Sequence, residues 1–331
     1  MINKNPILSL HNVSVGYNKA IIKNIKAAFY PGEFISILGK NGVGKSTLLK
    51  TACGLIDMLS GDILINNKSL KKINRIEKSK NIAFVSTYMP ILNLTVREMV
   101  SMGRLPYTGW TGKLNKFDDV IINKVLDDLN LNPLQNRKLY ELSDGEKQRT
   151  LIGRAIVQDT PVIILDEPVA YLDVQNKYEI LNLLKNLTLQ GKTVLFSSHD
   201  VNIVLQLADN MIIIDNQSIY TGSPEDHILN NKINALTNND NISFDLLKGG
   251  FYIKRKSKDN IGIMSDEPTF SILQNAINRI GFNALCNKTS DINVKVMYSN
   301  DKYLFKLILK DDEKAFGTIY DLIFYLKKLN N

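Results

Sequence analysis

The chain has 331 residues, a formal charge of +8 and two cysteines, with 44% hydrophobic and 22% charged residues. This composition excludes wholesale disorder, and Cys53 and Cys286 are too few and too far apart for a disulfide scaffold. No apolar run approaches the roughly 18–20 residues of a membrane span, and the length predicts two domains, one large and one small.

The first residues, Met-Ile-Asn-Lys-Asn-Pro, show no apolar h-region, so no secretory leader is expected. Ile7–Val15 reads as a strand and runs into Gly16-Tyr17. Glu33–Leu38 is a second strand. It is followed by Gly39-Lys40-Asn41-Gly42-Val43-Gly44-Lys45-Ser46-Thr47 and a helical stretch over Lys45–Leu55. That order is a phosphate-binding loop. Glycines let successive N–H groups turn inward onto phosphate oxygens, and the helix start adds its positive dipole end. Lys45 reaches the outer phosphates in such a loop, Ser46 offers a hydroxyl to Mg²⁺, and Thr47 bonds a phosphate nearer the sugar.

Strands follow at Ile63–Ile65 and Ile82–Val85, and helices at Thr95–Met102 and Asp118–Leu129. Trp110, the only tryptophan, reads either as a docking anchor or as a core residue. Leu142-Ser143-Asp144-Gly145-Glu146 opens a helix over Gly145–Val157. Alone this is a helix cap. Beside a phosphate loop it is a second anion site, and one ATP cannot easily use two such sites of one molecule, which points to a partner copy. Val162–Leu165 is an apolar strand ending in Asp166 and Glu167, placed to hold a Mg²⁺ shell and to polarise a water.

A helix over Val174–Gln190, a strand Thr193–Ser197 leading to His199, a helix Val201–Ala208 and a strand Met211–Asp215 complete an alternation that predicts an α/β fold with a largely parallel sheet. His11 and His227 lie at polar positions and read as structural or solvent-facing. The domain is placed at residues 1–230, with an Asn-rich linker at 231–241. Residues 242–331 then form a small α+β domain of the ββαββα or βαββα kind. Its strands are expected at Phe251–Arg255, Ile261–Met264, Ile292–Tyr298 and Tyr303–Leu309. One helix is capped by Asp266 with Pro268 inside it, and a last helix spans Asp312–Leu329. The positive charge is spread along the chain. Its only block, Lys254–Lys258, reads as a solvated hairpin edge, so nucleic acid is not expected as a partner.

Taken together, these motifs resemble the nucleotide-binding subunit of an ATP-binding cassette (ABC) transporter, over roughly residues 7–229. In order they are Tyr17 as the adenine-stacking aromatic, the loop Gly39–Thr47, the signature Leu142–Glu146, Asp166-Glu167, the D-loop Ala170–Asp173 and the switch residue His199. The resemblance implies a P-loop NTPase of ABC type, with a mixed sheet core and antiparallel β and α-helical subdomains, binding ATP and Mg²⁺. Two copies would close head to tail, each ATP lying between Lys45 of one and Ser143 and Gly145 of the other. Glu167 would promote attack by water and His199 would sense the γ-phosphate. The stretch Leu94–Tyr107 and Asp144 resemble the branch that energises uptake of iron–siderophore complexes, haem and cobalamin. This implies a membrane permease, indirectly a substrate-binding protein, and a place on the cytoplasmic face of the inner membrane. A soluble ABC-type switch is the alternative, disfavoured by a single phosphate loop and no coiled coil. The family carries a Gln after Ile82–Val85. Here Thr87 stands there, a shorter side chain that reaches the metal only through water or a closer loop. The small C-terminal domain carries no recognised motif and reads as a dimer contact, a regulatory unit or a stabilising appendage.

Overall fold

Short runs of consecutive apolar residues form strands buried on both faces. Phe34–Gly39, Val162–Leu165 and Thr193–Ser197 are buried along their whole length, as expected where layers cover both sides of a parallel sheet. The computed structural model describes residues 5–87, 92–170, 172–215, 218–237, 239–245, 249–254, 259–299, 301–310 and 312–329. Tyr171 of the expected D-loop, and positions 255–258 of the basic block, lie outside the described residues.

The chain divides into two units, Met1–Asn238 with Phe244–Phe251, and Asn239–Ser243 with Tyr252–Asn331. In the first, a six-stranded sheet runs in the order Ser218–Gly222, Asn210–Asp215, Phe34–Gly39, Thr193–Ser197, Val162–Leu165, Ile82–Val85. All neighbours are parallel except the antiparallel pair at the Ser218–Gly222 edge. Alternate residues enter two cores. Phe34, Leu165 and Phe196 join a helical layer carrying Met99, Ile122, Leu126 and Ile152, with the Phe34 and Phe196 rings 4.8 Å apart. Ile35, Ile164 and Leu195 face the other way, onto helix Lys45–Ala52 and an antiparallel sheet of Ala20–Phe29, Leu8–Gly16, Ser60–Ile65 and Lys68–Ser69.

The strand Ala20–Phe29 was not anticipated. Lys23, Asn24 and Lys26 interrupt its apolar run, and only Ile22, Ile25 and Phe29 are buried. The expected linker is also corrected in part. Lys232–Leu236 forms a short 3-10 helix with Ile233 buried, because one apolar side chain can anchor a turn without any periodic pattern.

The second unit contains a five-stranded sheet in the order Asn283–Cys286, Asn260–Met264, Ile292–Ser299, Lys302–Ile308, Glu313–Phe316. The first three are mutually parallel and the rest antiparallel. Leu273 and Ile277 of helix Thr269–Arg279, and Leu322 and Leu326 of helix Ile319–Leu329, pack with Ile261, Ile263, Val294 and Leu307. From Asn260 on, the described residues of this unit read strand, helix, four strands, helix, not the shorter patterns expected. The last helix does not begin near Asp312. Glu313–Phe316 instead pairs with Phe305–Ile308, and the helix starts beyond Gly317, where the Asp321 N–H donates to Thr318 Oγ1 at 3.1 Å. Likewise Pro268 precedes helix Thr269–Arg279, and Asp266 contributes a backbone carbonyl to Phe270 N–H rather than a side-chain cap.

Candidate functional site

The carboxyl ends of four adjacent parallel strands carry the sequence motifs. Phe34–Gly39 leads into the phosphate loop, Val162–Leu165 into Asp166 and Glu167, Thr193–Ser197 into His199, and Ile82–Val85 into Thr87. In open α/β sheets this edge is where ligands bind.

In the loop, Gly42 and Gly44 have φ values of 77° and 107°. A side chain at Gly44 would also meet Ile21 Cγ2 at 3.0 Å, so this position requires glycine on two counts. Gly44 starts helix Lys45–Ala52, which has no side-chain N-cap and no acid in its first turn. Its first N–H groups are therefore suited to an external anion. The Lys45 ammonium is buried and donates to the carbonyls of Gly39 at 2.8 Å and Lys40 at 3.2 Å. Burial pulls its pKa below the usual lysine range, opposed by the Glu167 and Asp166 carboxylates. Lys40 also lies 3.7 Å from Asp215. Ser46 is half-buried and Thr47 buried, while Asn41 and Tyr17 are exposed.

The strand ends are linked by a run of hydrogen bonds. Asp166 N–H donates to the Val85 carbonyl at 2.8 Å. The Thr87 hydroxyl donates to the Asp166 carbonyl, also at 2.8 Å. Buried Ser197 donates to Asp166 Oδ1 at 2.8 Å and accepts the Glu167 N–H at 2.9 Å. His199 Nε2–H donates to Glu167 Oε1 at 2.5 Å. Glu167 has φ 51°, a left-handed conformation that costs a non-glycine residue roughly 1–2 kcal/mol. Ser197 and the Ala170 N–H on the Glu167 carbonyl, at 3.1 Å, hold it there.

Sequence reasoning missed Ser197. The available signal was a hydroxyl closing a strand after three apolar residues, two residues before His199. Sequence reasoning has Thr87 reach the metal only through water or a closer loop. Its hydroxyl proton goes to the backbone carbonyl of Asp166, a clasp on the strand end that leaves the oxygen lone pairs open.

Ser143 is exposed and caps helix Asp144–Val157. Its Oγ accepts the Glu146 N–H at 3.3 Å, while its own N–H donates to Glu146 Oε2 at 2.8 Å. The Ser143 backbone bond, more than any other contact, holds the Glu146 carboxyl below the usual range. Asp144 points outward and pairs with Lys147 at 3.4 Å. A side chain at Gly145 would stand 3.2 Å from Leu172 Cδ2, so the signature turn packs on the D-loop. Asp173 caps helix Val174–Leu189 through the Asn176 N–H at 2.8 Å. The signature residues thus bond within their own helix turn. Asp166, Ser197, Glu167 and His199 form one bonded run, with the Glu167 backbone N–H as its link to Ser197. The residues 94–107 are anchored by a buried pair, Arg104 Nε to Asp118 Oδ1 at 2.8 Å. Trp110 is fully exposed, which removes its reading as a core residue. His227 is buried against the Met211 carbonyl, and exposed His11 bonds Ser9.

Among the described residues, no helix is long and apolar enough to cross a membrane. Residues 22–170 match the profile of the ABC transporter family. The petrobactin import ATP-binding protein FpuC of Bacillus anthracis is 33% identical over 229 residues, covering 68% of this chain and 82% of that protein. A solved structure described as a metal-chelate type ABC transporter in an inward-facing conformation aligns with a TM-score of 0.62 at 27% identity, over 75% of this chain and 96% of that one. The dimeric cassette MJ0796, bound to ADP and Pi, aligns with a TM-score of 0.60 at 27% identity, over 66% and 98%.

Proposed function

Because the chain belongs to the ATP-binding proteins of ABC transporters and is an ATPase, we propose that it energises import of an iron–siderophore, haem or cobalamin-type substrate through a separate membrane permease. ABC cassettes form dimers and work with permease subunits. In this reading the chain is a peripheral subunit on the cytoplasmic face of the inner membrane, with a substrate-binding protein delivering cargo to the permease. Similarity to a petrobactin import protein and to a metal-chelate transporter supports the substrate class.

The observation that carries the catalytic reading is the bonded set Asp166–Ser197–Glu167–His199, whose two carboxylates act electrostatically on buried Lys45. Lys45 and the loop amides from Gly39 to Thr47 hold the phosphates, and Tyr17 stacks on adenine. The hydroxyl of Ser46 and the carboxylate of Asp166 are the hard oxygen donors that Mg²⁺ takes. When bound, Mg²⁺ neutralises charge between phosphate oxygens. Thr87 steadies the strand end that carries Asp166. Glu167 accepts a proton from the attacking water, and His199 orients that carboxylate and meets the γ-phosphate. The signature turn, Ser143 to Glu146, faces the partner's ATP across a head-to-tail dimer, with Asp173 beside it in the D-loop.

Removing a positioned general base lowers turnover by about 10²–10⁴-fold. Glu167→Gln is therefore expected to lose ATP turnover on that scale while retaining bound ATP, as read by single-turnover assay and nucleotide retention. Wild-type turnover in this variant would overturn the base assignment. Purifying the chain with its permease, then assaying uptake of a ferric siderophore, haem and cobalamin, tests the substrate class.

A further inference from the structure

Trp110 is fully exposed, in a segment that the nucleotide site does not use. An indole left wholly in water is costly unless something covers it. Phe117 is 67% exposed and Leu105 50%, so Trp110 has apolar company along residues 105–117. That segment contains Lys113 and Lys116 and no acid. Asp118, the first acid after it, is buried against Arg104.

A second segment stands beside it. Residues 68–80 hold six basic side chains, Lys68, Lys71, Lys72, Arg75, Lys78 and Lys80, and one acid, Glu77. Glu77 is already paired with Lys68 at 3.0 Å. Gln158 joins the two segments. Its side-chain amide donates to the Ser79 carbonyl at 2.6 Å, and its own carbonyl accepts from the Tyr107 hydroxyl at 3.0 Å. Lys80 Nζ lies 5.3 Å from the centre of the Tyr107 ring. Charge that is spread along the sequence is thus gathered beside a run of exposed aromatic and aliphatic side chains.

The chemistry of these groups selects the partner. Protein contacts are poor in lysine, yet every basic residue of the two segments except Arg75 is a lysine. A bilayer rich in anionic lipid takes each lysine as a point charge in the headgroup potential. Tryptophan and tyrosine sit at headgroup level, where one end of the side chain is apolar and the other wet. Buried apolar area and attraction to anionic headgroups add in such binding.

We propose that this surface, Trp110 with the basic residues beside it, seats the cassette directly on anionic lipid headgroups. The contact is made by this chain itself and does not require a permease. A chain held at the bilayer meets its membrane partner at a raised effective concentration.

The test uses the full-length chain alone, without permease or nucleotide, so its outcome is separate from that of the import reading. Trp110 is the only tryptophan, so intrinsic emission reports on this surface. Vesicles of phosphatidylcholine and phosphatidylglycerol in a two-to-one ratio are expected to sediment the chain and shift its emission to the blue. Pure phosphatidylcholine should do neither, and added salt should weaken binding. Lys72→Gln with Arg75→Gln and Lys80→Gln should weaken binding roughly a hundredfold, from the attraction each basic residue contributes near an anionic surface. Trp110→Ala, which keeps the charge, should weaken it roughly tenfold. Both variants should keep the wild-type melting midpoint and ATPase activity in solution, because these side chains are exposed and outside the nucleotide site. A matched control, Lys288→Gln with Lys295→Gln and Lys302→Gln in the second unit, removes the same charge from exposed positions and should leave binding unchanged. Equal losses in the control overturn the proposal, since net charge alone then drives adsorption. So does an unshifted Trp110 emission on anionic vesicles. A shift that appears only with the permease, in a bilayer free of anionic lipid, assigns the surface to that protein and also overturns the proposal.

Discussion

At the scale of residues, the site depends on one side chain that no motif flagged. Ser197 bonds both acids of the strand end, and it is the acceptor for the N–H of a glutamate held at φ 51°. Removing the hydroxyl leaves that N–H without its acceptor and frees Glu167 to relax. A hydrogen bond of this kind is worth ~1 kcal/mol net, and more when a buried group is left unpaired. Ser197→Ala is therefore expected to lower kcat about tenfold with little change in KM for ATP, since the phosphate loop is untouched. Ser197→Thr, which keeps the oxygen, should recover most of it. Equal losses in kcat and melting temperature for both variants would reduce Ser197 to a packing residue. The neighbouring acids were legible because two carboxylates ending an apolar strand are costly unless used. Ser197 was not, because a serine at a strand end is ordinary until the facing strand is known to carry those acids.

At the scale of elements, caps and anchors define where helices begin, and these were partly legible. Thr95 and Glu98 form a capping box for Val96–Ser101, and Asn115 with Asp118 does so for Lys116–Asp128. Asp118 serves twice, since it also takes the buried Arg104 guanidinium. The helix Pro224–Leu229 shows the same economy. It is capped by Ser223 and presses His227 against strand Asn210–Asp215, where Nε2–H donates to the Met211 carbonyl at 2.9 Å. Burial lowers the His227 pKa from its ordinary 6.5, against the opposing pull of that bond and of Asp226. With the folded value below the unfolded one, the unfolded chain binds the proton first as pH falls. The stability this neutral imidazole preserves is thus complete above the unfolded pKa and is lost as pH drops through the folded one. Thermal midpoints should fall from neutral pH toward about pH 5, and His227→Gln should flatten that part of the profile. Parallel profiles for the two proteins would count against the assignment. No sequence pattern foresaw the burial, because it depends on a bond to strand Asn210–Asp215, sixteen residues back along the chain.

At the scale of the whole molecule, the signature turn looks out of place. Ser143 is exposed and satisfied by its own helix, so its hydroxyl has no further use within one copy. In the proposed head-to-tail dimer, a partner's nucleotide gives it one. Ser143→Arg should abolish hydrolysis while leaving nucleotide binding to the monomer intact, checked by fluorescent-nucleotide titration beside an ATPase assay. The lost cap costs about 1 kcal/mol of stability, which a melting curve separates from the catalytic effect. Loss of monomer binding would remove the composite site.

The sequence by itself determined the cassette. Its phosphate loop, acidic strand end and signature are local patterns, each set by backbone conformation within a few residues, so spacing alone exposes them. It also determined the alternation of strands and helices, because consecutive buried residues leave a continuous apolar run. Tertiary structure decided what depends on a distant partner. Glu313–Phe316 is a strand because Phe305–Ile308 lies beside it. Thr87 is a clasp because Asp166 presents a carbonyl to it. Ser197 matters because two strands end side by side. Ala20–Phe29, interrupted by Lys23, Asn24 and Lys26, is a strand because Leu8–Gly16 pairs with it. Each of these outcomes rests on a hydrogen-bonding partner far along the chain, and local propensity carries no record of such a partner.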